Sequence, residues 1–142
     1  MKTLKALSAL LSYPTPELIG ACGDIKAAID REAVLPEAER QALHRLVDDL
    51  ASGDIYDLQE RYVLLFDRTR SLSLHLFEHV HGESRARGQA MVDLIKLYEE
   101  GGFTPTTEEL PDFLPLFLEY AAQLDAPAAI ELVGQPAHVF AA

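Results

Sequence analysis

The chain has 142 residues, 23 acidic against 12 basic side chains, and a formal charge of −11, with an isoelectric point near 4.7. Such a surface repels nucleic acid and anionic lipid, and favours solubility or a basic partner. The length suits one domain with a single core, the 49% hydrophobic content makes it globular, and the lone cysteine, Cys22, excludes an internal disulfide.

The opening "MKTLKALSALLSYP" faintly resembles a secretory leader. Its apolar run is short, Lys5 interrupts it, and no small-residue cleavage site follows, so it reads as an amphipathic helix on Leu4, Leu7 and Leu11 that Pro14 stops. Thr15 then predicts a cap for a second helix, with Pro16 at its first position and Glu17 in its first turn. Its stripe is Leu18, Cys22, Ile25 and Ile29, which makes Cys22 a buried core thiol. Pro36 opens a third helix with the stripe Leu43, Leu46, Val47 and Leu50, ended by Gly53. Asp54 caps a fourth, bearing Ile55, Leu58, Tyr62 and Leu65.

"FDRTRS" breaks the pattern. A short fifth helix carries Leu72, Leu76, Phe77 and Val80 and ends at Gly82. A sixth spans about Glu83 to Glu99, with Met91, Leu94, Ile95 and Tyr98 inward. "EGGFTPT" reads as a loop, and Pro111 starts a seventh helix with Phe113, Leu114, Phe117, Tyr120 and Leu124. The closing "QPAHVFAA" reads as a helix opened at Pro136 and cut short, as if the chain continued. No segment alternates as a strand does, and no apolar run reaches the ~18 residues that span a bilayer. The expected fold is all-α: one compact helical domain over 1–142, of seven to eight helices joined by short loops.

The densest chemistry lies in "SLHLFEHVHGESRARGQ". His75, Glu78 and His79 spell H-x-x-E-H, the pattern of inverted zinc proteases. On a helix the two histidines would share a face, as a zinc site requires. A protease also needs a downstream glutamate, for which only Glu131 is isolated, and a mixed α/β scaffold that the periodicity does not supply. The alternative is a polar ridge whose histidines bond to neighbouring helices. No phosphate-binding or dinucleotide-binding glycine pattern and no nucleophile elbow occurs.

"LFDR", "FEHVHGESRARGQAMVDL" and "ELPDFLPLFLEY" together cover much of the chain's second half. In these blocks the sequence resembles the NarJ family, delta-subunit assembly chaperones of respiratory nitrate reductase, within the TorD- and DmsD-like redox-enzyme maturation chaperones. The resemblance implies a TorD/NarJ-like helical chaperone that is not an enzyme and carries no cofactor or metal. It implies a cytoplasmic protein that binds the basic N-terminal segment of the catalytic (alpha) subunit. That subunit is held open for insertion of molybdenum cofactor and iron–sulfur cluster before membrane assembly. Molybdenum cofactor biosynthesis proteins and a second copy of the chain are further candidate partners, and another molybdoenzyme is the alternative client. Family members run well beyond position 142, so the C-terminal part of the fold is expected to be missing. Glu109, Leu110, Pro111 and Asp112 match the family's Glu-Leu-Pro-Asp-His, but Phe113 replaces its histidine.

Under that resemblance, Tyr62, Phe66, Phe77 and Tyr120 are expected to supply apolar contacts to a peptide. Asp67, Glu78, Glu83, Asp112 and Glu119 are expected to meet its cations, with His79 and His81 on the rim. Gly82, Arg85 and Arg87 form an expected hinge, the arginines reaching back to Asp67 or Glu78. A basic peptide suits an acidic groove by charge and an apolar one by burial.

Overall fold

In the computed structural model, which describes residues 1–81, 85–105 and 108–141, the N-terminal elements are α1 (Lys2–Leu10), α2 (Pro16–Gly20), α3 (Cys22–Glu32), α4 (Glu37–Ser52) and α5 (Ile55–Tyr62). The predicted caps are in place. Thr15 Oγ1 accepts the Leu18 N–H at 3.1 Å, and Asp54 accepts those of Tyr56 and Asp57. The expected second helix is in fact two: the chain breaks at Ala21 (φ −90°, ψ −2°). Its stripe survives the break, because Leu18, Cys22, Ile25 and Ile29 all pack with Ala6, Val47, Leu50 and Leu58 in one core. Burying residues such as Ile29 and Val47 fully is worth about 1.5–3 kcal/mol each. Leu46 and Leu65, expected inward, are exposed.

One helix N-terminus is capped from a distance. Nothing at Met1 caps α1; instead the Glu32 carboxylate, at the end of α3, accepts the backbone N–H of Lys2 at 2.8 Å and of Thr3 at 2.9 Å. These are donors that α1 itself cannot satisfy.

After α5 the helix widens into a π turn (Val63–Asp67), closed by the Arg68 N–H on the Val63 carbonyl at 3.0 Å. A 3₁₀ turn (Arg70–Leu72) follows. His75 is in extended backbone after a bend at Leu74, and α6 (Leu76–Val80) begins only at Leu76. Leu72 and Val80, expected inward on one helix, are exposed.

Helix α7 (Arg85–Glu100) ends at two glycines. The Gly102 N–H bonds to the Glu99 carbonyl and the Phe103 N–H to the Tyr98 carbonyl at 2.8 Å, with Gly102 at φ +71°. This is a Schellman stop, which needs a residue able to take positive φ. The Phe103 and Tyr98 rings meet edge to face across it. Leu94 and Tyr98 are inward as expected, while Ile95 is exposed.

Pro111 does not start a helix. Residues 112–114 run against 74–76: Leu76 N–H bonds to Asp112 O, and Leu114 N–H to Leu74 O at 2.7 Å. Helix α8 starts at Leu114 with Pro115 in its first turn. Then come α9 (Ala126–Gly134), capped by Asp125, and α10 (Ala137–Ala141). The described residues thus form ten α-helices and no strand beyond a single His75–Phe113 bridge. The count exceeds the expected seven to eight through the break at Ala21 and the unforeseen α9.

The elements enclose two cores. The first lies under α1–α5; the second gathers Leu76, Leu94, Tyr98, Phe103, Leu116, Phe117 and Tyr120. A seam of Leu4, Leu118, Ala121 and Ala129 joins them where α1 packs on α8.

Candidate functional site

The segment at 73–75 lies between two different cavities, and Ser73 and Leu74 line both. Asp112 holds it in place. The side chain is fully buried, and Oδ2 accepts the Phe77 N–H at 3.0 Å while the main-chain oxygen takes Leu76. Asp112 therefore does for α6 what a local cap does elsewhere. The Tyr98 phenol, donating to the Pro111 carbonyl at 2.7 Å, fastens the same stretch from beneath. Burial pushes its pKa well up, and the charges of Asp112 and Tyr120 add to the effect.

On one side is an apolar groove of about 750 Å³. Leu4 and Leu7 of α1, with Leu11 just after it, line the groove together with Leu114 and Leu118 of α8, on which α1 packs, and with Leu72 and Phe140. Leu72 and Phe140 are 45% and 42% exposed, which leaves apolar surface open to a partner. His79 and His138 are the only polar rings on the lining, and no carboxylate is among its described residues.

On the other side is a charged cavity of about 500 Å³. Asp67 and Glu78 share it with Arg68, Arg70 and Arg87, and Phe66, His75 and Phe113 supply rings. A hydrogen bond from the Ser73 side chain, aided by the charges of His75, Arg87 and Arg70, holds the Glu78 carboxyl below its ordinary pKa against a smaller opposing effect of burial. The ring of His75 lies 5.3 Å from that of Phe113.

The residues expected at a peptide site are therefore divided. Phe66, Asp67, Glu78 and Arg87 meet in the charged cavity. Tyr62 stands behind Phe66 at 5.0 Å between ring centres and donates its hydroxyl to Leu11 O; burial, with Asp67 and Glu109, pushes its pKa up to about 12. His79 lines the apolar groove and its Nε2 lies 2.8 Å from Ser73 O, while His81 stacks edge-on against Phe77. Asp112 and Tyr120 are interior, and Glu119 pairs with Lys5 at 2.9 Å across the α1–α8 seam. Arg85 is exposed. Gly82 and Glu83 lie outside the described residues.

The zinc arrangement is not formed. His75 precedes α6 and so does not share a helix face with His79. Among the described residues no three His, Cys, Asp or Glu side chains converge as metal ligands. Sequence reasoning missed Arg68 and Arg70, which it treated as a break in pattern, and the leucines of the groove, which periodicity assigned to a core.

The described residues thus form an all-α chain with an apolar groove and a charged cavity among its surface features. Comparison with known proteins gives the kind of protein: the chain belongs to the nitrate reductase delta subunit family, which matches residues 32–138. It is 48% identical over 131 residues, 92% of its length, to the nitrate reductase molybdenum cofactor assembly chaperone NarJ of Escherichia coli K12. It is 43% identical over 92% of its length to the probable assembly chaperone NarW of the same organism, and 39% over 89% to the probable NarJ of Bacillus subtilis. The chain spans about half the length of the two E. coli proteins (56% and 54%) and 68% of the Bacillus one. Among the described residues no helix is long and apolar enough to cross a membrane.

Proposed function

We propose that this chain is the client-binding part of a cytoplasmic assembly chaperone for respiratory nitrate reductase. In this reading it holds the N-terminal segment of the catalytic subunit, so that molybdenum cofactor and iron–sulfur cluster enter before the enzyme docks at the membrane. The observation that carries it is the 48% identity, across nine-tenths of the chain, to a protein named for that assembly. No catalytic step is assigned, because the relatives are named for assembly.

The apolar groove supports a particular mode of binding. An amphipathic helical peptide would lay its apolar face on Leu7, Leu72, Leu114 and Phe140, in the manner of helix-in-groove recognition. Its basic residues would answer to the net charge of −11 spread over the chain. His79 lies on this groove's lining; Phe77 and Val80 continue apolar surface along the other flank of α6.

Calorimetric titration with synthetic N-terminal peptides tests the reading. Saturable one-to-one binding of the nitrate reductase peptide, tighter than leaders of other molybdoenzymes, is expected. Preference for another leader would transfer the chaperone to a different client, and no binding of any would remove the peptide-holding role.

A further inference from the structure

The described lining of the charged cavity departs from the charge balance of the chain. Over the whole sequence acids outnumber bases 23 to 12, yet the described residues lining this cavity include Arg68, Arg70 and Arg87 beside Asp67 and Glu78. A basic client segment, which the acidic chain attracts in general, would meet cations at this point. We propose that the cavity binds a phosphate-bearing ligand, its oxygens gripped by the arginines and a flat ring attached to it lodged against Phe66 and Phe113.

Three observations carry this. First, about 500 Å³ lies within the ~300–1,000 Å³ range of small-molecule sites. Secondly, arginine presents a planar fork matched to phosphate oxygens, and its charge does not titrate away. Neither Arg68 nor Arg70 forms an ion pair among the described residues.

Thirdly, the backbone under these two arginines is fixed rather than loose. The Arg68 N–H closes the π turn on Val63 O, Thr69 Oγ1 donates to Leu64 O at 2.7 Å, and the Ser73 N–H bonds to Arg70 O at 3.1 Å. This π turn ends α5, and its extra residue turns side chains that a continuing α-helix would aim elsewhere. Here it sets Phe66 and Asp67 on the cavity wall.

The test is calorimetric titration of the 142-residue chain with inorganic pyrophosphate, adenosine diphosphate and adenosine at constant ionic strength. The expected result is one-to-one binding of the two phosphates, with adenosine diphosphate the tighter, and none of adenosine. Arg68 and Arg70 are exposed, so the R68A/R70A variant should keep the wild-type melting temperature while losing about tenfold or more in affinity. The R31A/R45A variant, altered on arginines outside the cavity, should bind as wild type does. Phe66→Leu should bring the affinity for adenosine diphosphate down to that for pyrophosphate. No phosphate binding at millimolar concentration, undiminished binding in R68A/R70A, or an equal loss in R31A/R45A would overturn the site. Adenosine binding as well as its diphosphate would overturn the role of the arginines. Equal affinity for pyrophosphate and adenosine diphosphate in the wild type would overturn the ring contact.

Discussion

The carboxylate of Asp112 accepts the backbone N–H of Phe77, thirty-five positions earlier in the chain, at 3.0 Å. Asp112→Ala leaves that donor buried without an acceptor, which costs about 1–3 kcal/mol. Asp112→Asn keeps an oxygen that can accept, so it should lose less. Urea unfolding of the two variants measures the difference. Equal losses would mean that the volume of the side chain matters and the acceptor does not.

Glu32 ties stability to acidity. Burial raises the pKa of this carboxyl, but the hydrogen bonds from Thr3 and Lys2 and the N-terminal ammonium outweigh it, leaving a pKa below the ordinary 4.5. A carboxylate with a lowered folded pKa contributes stability that is complete above its unfolded value and disappears as pH falls through the folded one. Glu32→Gln should therefore melt below wild type at neutral pH, and the two melting curves should converge below about pH 4. A constant gap across that range would show that the hydrogen bonds do not depend on charge.

Backbone strain makes predictions of opposite sign at two helix ends. Gly102 stands at φ +71°, so Gly102→Ala should cost about 1 kcal/mol. Ala33 ends α3 at φ +51°, where glycine is the usual residue, and Ala33→Gly should gain up to about 1 kcal/mol. Gly101 is a different case: an added Cβ would lie 2.7 Å from the buried Tyr120 ring, so Gly101→Ala should destabilise by about 1–3 kcal/mol through crowding. Thermal melts of the three variants check the signs, and a stabilised Gly101→Ala would show that the aromatic cluster yields without cost.

For the groove, Leu72→Ser should weaken binding of the amphipathic peptide severalfold and leave unfolding unchanged, since Leu72 is 45% exposed. Salt should slow association more than it speeds dissociation, because the described lining carries no carboxylate and attraction comes from the whole molecule. Stopped-flow kinetics separate the two. A large salt effect on dissociation would place acidic side chains in direct contact with the peptide.

Much of the fold is legible in the sequence because its signals are local. Thr15 and Asp54 cap where their positions before apolar stripes predict, and the Leu18, Cys22, Ile25, Ile29 stripe is buried even though the helix beneath it breaks. Asp125-Ala126-Pro127 carries an equally plain start signal for α9, with Asp125 accepting the Ala128 N–H at 2.9 Å. The candidate site was less legible. The segment between its two cavities depends on pairing 74–76 with 112–114, contacts between segments far apart in sequence that no periodicity records. For the same reason H-L-F-E-H suggested a helical face that His75, in extended backbone, does not share. A stripe of leucines reads alike whether it faces a core or an open groove, so Leu4, Leu7 and Leu118 disclosed nothing of the cavity beside them.

Ser73 and Leu74 have a groove on one side and a charged cavity on the other. Because the same two residues line both spaces, a ligand that displaces them in one also reshapes the other. Thermodynamic linkage then requires the influence to be mutual, each ligand altering the affinity of the other by the same factor. The sign of that coupling, whether the two occupants assist or evict one another, would decide whether this protein releases its first guest when the second arrives or keeps both together.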